Sequence, residues 1–483
     1  MITEEVLNKY EMTIGIECHV QLATDTKLFS FADNDARDKS PNSVVSPIDY
    51  GLPGMLPVLN RKAVDLAIKA GRALNAEIAP VSRFDRKHYF YPDLPKGYQT
   101  TQMYQPIILA GYVDAPLDDG QTVRVRIHHA HMEEDAGKLT HFSDYSLVDL
   151  NRAGTPLIEI VSEPDIHSPA AAKSFAAELH RLMTYAGVTH GDLYHGNMRF
   201  DVNISVALKG SQELGKRAEV KNLNSFRSVE RAAEYEFRRQ VELLEKGEQV
   251  TQETRGWDDA KQKTNSQRSK EDAQDYRYMP DADIPPIVLT REEIETIQAE
   301  VPMLPPVYRD KWISLNLDRS VVDSLLATQE YARLITEIQE KAGGDTAKRV
   351  AHWFASALGK ADEEAAPIHS RMLSPDGFIE LAQMVEANEL SSTAAKEVFA
   401  GLLVSDNSPR KVAESKNLLQ VSNESAIAAV VDEVLADPAS RQSLEDIRNG
   451  KDKAIGYLVG QVMKKSGGKA NPALAQKLIR ERL

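Results

Sequence analysis

The 483-residue sequence has a single cysteine, Cys18, which excludes an internal disulfide framework and any zinc site built on cysteines. No run of about 18 consecutive apolar residues occurs, so a membrane-spanning helix is not expected. The first residues, Met1-Ile2-Thr3-Glu4-Glu5-Val6-Leu7, are acidic where a signal peptide is basic and then apolar. These absences predict a soluble protein of the reducing cytoplasm. Three common motifs are also missing: the Gly-x-x-x-x-Gly-Lys-Ser/Thr phosphate loop, a Gly-x-Gly-x-x-Gly after a strand, and a Gly-x-Ser-x-Gly nucleophile turn. The familiar nucleotide-binding and hydrolase scaffolds are thereby set aside. Cys18 is the only thiol available as a nucleophile, yet it falls in the apolar half of an alternating strand, where a free cysteine acts as a small buried hydrophobe.

Cations are in deficit too. The net charge is −14, which taken as an average disfavours nucleic acid, because binding phosphates requires Lys and Arg. The average hides an asymmetry. Residues 406–483 hold 13 basic and 10 acidic side chains, a net of +3, which leaves −17 for residues 1–405. The last stretch contains Lys451, Lys453, Lys464, Lys465, Lys469, Lys477, Arg480 and Arg482 against Asp452 and Glu481. An acidic body ends in a basic tip.

With 42% hydrophobic and 27% charged residues, the composition is that of a globular protein, and the length calls for two or three domains. Up to about residue 286 the chain is rich in Gly, Pro, Thr, Tyr and β-branched residues, the pattern of short strands and turns, with helical spacing at 60–74, 168–186 and 225–245. Prolines 285, 286, 302, 305 and 306 mark a boundary, and beyond it the spacing is helical, for example over 320–342 and 346–358. A second break falls near Ser405–Pro409. The reading is α+β: residues 1–293 form a sheet-containing domain, 294–405 an all-α helical domain, and 406–483 a small helical tail.

Three segments alternate so that polar residues share a face. In 14–22 these are Glu17, His19 and Gln21; in 199–206, Arg199, Asp201, Asn203 and Ser205; in 217–221, Arg217, Glu219 and Lys221. Either each face is simply solvated, or the faces converge into an oxygen-rich site suited to a hard cation such as Mg²⁺. A fourth segment, 131–138, carries Glu133-Glu134-Asp135 after a strand at 123–127; such a run is a solvated loop unless a divalent ion offsets its repulsion. The histidines 128, 129, 131 and 141 suggest zinc only weakly, with no cysteine partners and no helical His-x-x-x-His. In 82–93, cations stand among aromatics: Lys87 could meet a phosphate as a point charge, Arg83 and Arg86 bidentately, or all could pair with Asp85 and Asp93.

Several strings resemble the B subunit of the bacterial aspartyl/glutamyl-tRNA amidotransferases. They are Gly15-Ile16-Glu17-Cys18-His19-Val20-Gln21-Leu22, the run 84–93, His131-Met132-Glu133-Glu134-Asp135-Ala136-Gly137-Lys138, the run 149–165, and Glu219-Val220-Lys221-Asn222-Leu223-Asn224-Ser225-Phe226, continuing through Asp275-Tyr276-Arg277-Tyr278-Met279-Pro280 to Ala470-Asn471-Pro472. The resemblance implies a cradle domain around a mixed, largely antiparallel sheet, then a helical domain and a tail that contacts tRNA through Lys451, Lys453, Lys464, Lys465 and Lys469. It implies a ligase forming a carbon-nitrogen bond with glutamine as amido donor: ATP phosphorylates the side-chain carboxylate of Glu or Asp on a misacylated tRNA, and ammonia displaces the phosphate. The implied cofactors are ATP and Mg²⁺. The implied partners are the amidase (A) subunit and the small (C) subunit of a heterotrimer, tRNA for Gln or Asn, and the cognate aminoacyl-tRNA synthetase. Carried over by residue, the catalytic and metal set is Glu17, His19, Glu134, Asp201 and Glu219, with Lys87 and Arg86 on the phosphate side. Two rivals remain: a non-catalytic tRNA-binding chaperone subunit, which needs no metal, and a zinc hydrolase, which needs no ATP.

Overall fold

Every second residue from Tyr10 to Val20 is apolar, and alternation of that length sends one face of a strand into a core while the other stays polar. The structure, a computed structural model, describes residues 3–269, 275–358, 373–405, 407–420, 424–448, 452–467 and 470–483. In it Tyr10–Gln21 is one strand (β1), with Ile14, Ile16, Cys18 and Val20 fully enclosed. β1 lies within an eight-stranded sheet. The other members are Gly111–Pro116 (β2), Thr122–Glu134 (β3), Pro156–Ser162 (β4), Met198–Leu208 (β5), Ala218–Leu223 (β6), Glu253–Asp258 (β7) and Lys263–Ser269 (β8). Their order is β8-β7-β6-β5-β1-β4-β3-β2. β6 and β7 run parallel and the remaining neighbours antiparallel, so the sheet is mixed and largely antiparallel.

Three helices enter the same core as the apolar face of β1: Arg61–Ala73 (α1), Pro169–Tyr185 (α2) and Phe226–Glu245 (α3). Each begins where the sequence supplies a cap. The side chains of Asn60, Ser168 and Ser225 accept from the backbone N–H of Lys62, Ala171 and Ser228, satisfying donors that a helix start leaves open. Gly247, at φ +75°, follows the end of α3, in the left-handed conformation that glycine adopts without a steric penalty. With one face of β1 sealed by helices, its other face, carrying Glu17 and His19, is left for chemistry.

The first two acids of the run, Glu133 and Glu134, lie in a strand, and only Asp135 falls in the loop after it. β3 continues through Glu134, because pairing with β4 supplies backbone partners, with His131 opposite Glu159 and Glu133 opposite Leu157. Strand geometry then sends Glu133 and Glu134 to opposite faces, which relieves the repulsion that a shared turn would impose.

The chain divides into two compact units, Met1–Val307 and Tyr308–Leu483. The second is built of helices, and near its end Ile427, Val431, Leu458, Val462 and Leu478 form a core of their own. Together with the mixed sheet of the first unit, this is an α+β protein.

Candidate active site

Six adjacent strands, β3 to β7 with β1 among them, contribute side chains to the open face of the sheet. Because Glu17 pairs with Asp201 and Asn203 with Glu219, the carboxylates of β1, β5 and β6 come together. One oxygen from each of Glu17, Asp201 and Glu219 lies within 4.8 Å of the other two. Lys221 stands among them, its Nζ 2.9 Å from Asp201 Oδ2 and 2.8 Å from Glu219 Oε1. Asn203 Nδ2 donates to Glu17 Oε1 at 2.9 Å, and Thr254 Oγ1 to Glu219 Oε2 at 2.9 Å. Burial, and then the charges of Glu159, Glu219 and Asp201, hold the Glu17 carboxyl above its usual pKa, with Lys221 opposing them.

A second cluster lies one step along β1. His19 pairs with Glu159 across β1 and β4, and ligand atoms of His19, Glu133 and Glu159 again fall within 4.8 Å of one another. His131 Nε2 is 3.3 Å from Glu159 Oε2. Burial opposes protonation of His131, but its contacts with Glu133 and Glu159 outweigh it and raise its pKa to about 9. Glu159 is held well below the usual carboxylate range despite its burial, chiefly by His131. Lys87, on the strand Asp85–His88, faces this cluster: burial disfavours its charge, while Glu133 and Glu159, with Tyr278 and Tyr276, carry its pKa above the ordinary lysine value.

Glu17, His19, Asp201, Glu219 and Lys87 therefore sit where the sequence led one to look. Glu134 does not. It is turned to the other face of β3, buried against Lys96, with which it forms an ion pair, and accepting from the Thr100 backbone N–H. Glu133 stands beside His19 instead, and Glu159 completes that cluster. From the sequence, Glu133 is named only within the acidic run, and Glu159 is not named among the site residues. Glu159 carried a usable signal, being the one acid in the apolar run Pro156–Ser162, since a carboxylate placed there is costly without partners. Arg86 also points away from Lys87, as alternation demands. It is engaged by Asp281 at 2.8 Å and Asp283 at 2.6 Å and lies over the ring of Tyr98, so it is committed to the fold. In the second unit Lys453, Lys464 and Lys465 are exposed, Lys465 reaching Glu433 at 3.5 Å; Lys451 and Lys469 lie outside the described residues.

Both clusters fit divalent cations by donor chemistry. Three carboxylates make the first an all-oxygen set for a hard ion such as Mg²⁺, and an imidazole with two carboxylates makes the second more permissive. Burial is the main reason the Glu17 pKa is raised, and the carboxylate repulsion that adds to it is what a bound cation would relieve. Beside the first cluster the open face falls into a cavity of about 450 Å³, lined by Thr13, Gly15, Glu17, Asn203, Lys216 and Arg217 among others. Small side chains on β1 and β5 create this hollow, and two cations stand in its wall.

Residues 12–295 match the family model for the GatB/GatE catalytic domain, and residues 333–483 match the GatB domain. Among curated proteins, the B subunit of the aspartyl/glutamyl-tRNA(Asn/Gln) amidotransferase of Persephonella marina is 44% identical, covering 98% of this chain and 100% of its own length. The protein of the same name from Halorhodospira halophila is 46% identical over 98% of this chain and 99% of its own. That of Trichodesmium erythraeum is 44% identical over 100% and 99%.

Proposed function

The chain belongs to the GatB/GatE catalytic family, among the tRNA amidotransferase B subunits, and from that premise we propose that it carries the ATP-dependent amidation of misacylated tRNA. Glu on the tRNA for Gln, or Asp on the tRNA for Asn, would become the amide. The observation that carries this reading is the pair of clusters sharing strand β1, each with donor atoms that could hold a cation, and the charge of Lys87 acting on Glu133 and Glu159 of the second.

Glu17 and His19 are two residues apart on β1, roughly 7 Å along the strand, a span that a polyphosphate can cross. The cavity next to Glu17 holds about 450 Å³, room for part of a nucleotide, and Lys216 and Arg217 in its lining could meet phosphate oxygens. When bound, Mg²⁺ would offset the charge on those oxygens. Lys87 faces the transferred phosphoryl group as a fixed positive charge. Asn203 orients Glu17, and Lys221 holds Asp201 and Glu219 in place. The terminal phosphorus of ATP passes to a carboxylate oxygen of the aminoacyl side chain, and ADP leaves. Ammonia then attacks the acyl carbon, the carbon-oxygen bond breaks, and the departing phosphate takes the surplus proton. Cys18 is enclosed in the core, so this chain offers no thiol for releasing ammonia from glutamine. A partner amidase supplies it, with a small third polypeptide completing the complex. The exposed lysines of the tail support contact with tRNA phosphates.

The test mixes the assembled complex with misacylated tRNA, glutamine, Mg²⁺ and ATP and measures amidated aminoacyl-tRNA. Formation should need both ATP and Mg²⁺, and Glu219→Gln should lower it by about 10³-fold while thermal unfolding stays near that of the parent. Amidation without ATP, or full activity in the variant, would refute the reading and favour a non-catalytic role.

A further inference from the structure

Residues 275–280 occupy a place in the site that the two clusters do not account for. Their backbone is tied to the strand Asp85–His88: Met279 pairs with Arg86, His88 N donates to Tyr276 O at 2.8 Å, and His88 Nδ1 lies 2.9 Å from Arg277 O. Exposure alternates along the segment. Asp275, Arg277 and Met279 are exposed, while Tyr276 and Tyr278 turn inward. Arg277, between them, has φ +42°, a left-handed backbone that a residue other than glycine adopts only at a cost.

The inward residues meet Lys87. Its Nζ lies 4.8 Å from the centroid of the Tyr276 ring, within the range in which an aromatic face attracts a cation. Tyr276 is itself wedged edge-on against Tyr89 at 5.9 Å and Tyr278 at 6.3 Å. A lysine otherwise samples many rotamers, and ordering it opposes binding. Here the Tyr276 ring offers the ammonium an aromatic face, and the charges of Glu133 and Glu159 favour its protonated form.

We infer that Tyr276 is a positioning residue for the amidation reaction: with Tyr89 and Tyr278 bracing it, its ring holds the Lys87 ammonium over Glu133 and Glu159 so that the cation meets the phosphoryl group in one orientation. This rests on the proposed phosphate role of Lys87. A ring that contributes only bulk would be replaceable by any apolar side chain, whereas a ring that holds a cation acts through its π face and only while the cation is present.

The experiment measures ATP-dependent amidation by the full complex. Tyr276→Leu should lower kcat by about 10-fold with the KM for tRNA unchanged, and Tyr276→Phe, which keeps the ring, should stay within about twofold of the parent. In a Lys87→Met background, Tyr276→Leu should cost nothing further. Should Tyr276→Leu fail to fold, phenylalanines carrying increasing numbers of ring fluorines at position 276 keep the shape and weaken the π face, and kcat should fall stepwise along the series. Additive losses in the double variant, or a flat fluorine series, would overturn the inference. If Lys87→Met keeps full activity while Glu219→Gln is inactive, the lysine's phosphate role and this inference both fall, and the amidation reading stands on its clusters.

Discussion

The two clusters on the open face share a strand yet balance their charge differently. Glu17, Asp201 and Glu219 are all carboxylates and are held together by Lys221, whose pKa is driven up by Asp201 and Glu219 against the opposing effect of burial. His19, Glu133 and Glu159 include an imidazole and take their compensation from His131 and from Lys87, whose ammonium lies against the Tyr276 ring. The first borders the cavity through Glu17; the second has the fixed cation. On the proposed function, this difference would give nucleotide binding to the first and the reacting group to the second, although both arise from the same alternation of β1.

The largest effect should come from removing one charge from each. Asp201→Asn and Glu159→Gln should each lower amidation by about 10³-fold, but by different routes. At Asp201 the KM for ATP should rise as well; at Glu159 it should stay within about twofold while kcat carries the loss. Steady-state kinetics of both variants in the complex decide the matter, and equal changes in the KM for ATP would erase the division of labour.

A smaller effect tests the cavity side alone. Gly15 lies on the cavity-facing side of β1, and a Cβ placed there meets nothing closer than 3.7 Å, so the backbone tolerates a side chain that then projects into the hollow. Gly15→Val should raise the KM for ATP by about 10-fold, with little change in kcat and none in thermal stability beyond a few degrees. A kcat loss at unchanged KM would place the nucleotide elsewhere.

How much of this could be read from the chain depended on how far a local pattern reaches. Period-two alternation was enough to place Glu17, His19, Asp201 and Glu219 on polar faces, and capping residues Asn60, Ser168 and Ser225 marked the three helix starts. What alternation could not fix was parity at a strand end. Ending the strand at 127 left Glu133 and Glu134 interchangeable, and only the pairing of β3 with β4 decides that Glu133 faces the histidine while Glu134 goes to Lys96. Arg86 and Lys87 pose the same problem. Both are cations beside aromatics, and it is the partner strand Met279–Pro280, far along the chain, with the nearby Asp281 that takes Arg86 away from the site. Long-range register is not encoded in any short string, which is why Glu134 was named where Glu133 faces the histidine and Arg86 was grouped with Lys87.

The smallest effect, and the one that separates a functional cluster from a stabilising one, is thermodynamic. Glu17 is a carboxyl whose folded-state pKa lies above the unfolded value, because burial and three neighbouring carboxylates disfavour its charge more than Lys221 favours it. Such a group weakens the fold once it is deprotonated: the penalty is absent below the unfolded pKa of about 4.3 and complete above the raised folded one. In metal-free protein at neutral pH, Glu17→Gln should therefore raise the melting temperature, and the difference from the parent should shrink as pH falls toward 4. The amide keeps an oxygen for the Asn203 N–H, so packing is conserved while the charge is lost. Adding Mg²⁺ should reverse the order, stabilising the parent and not the variant. A melting temperature lowered by Glu17→Gln at pH 7 without metal would mean that Lys221 outweighs the three carboxylates, and that the first cluster is a structural ion network and not a cation site.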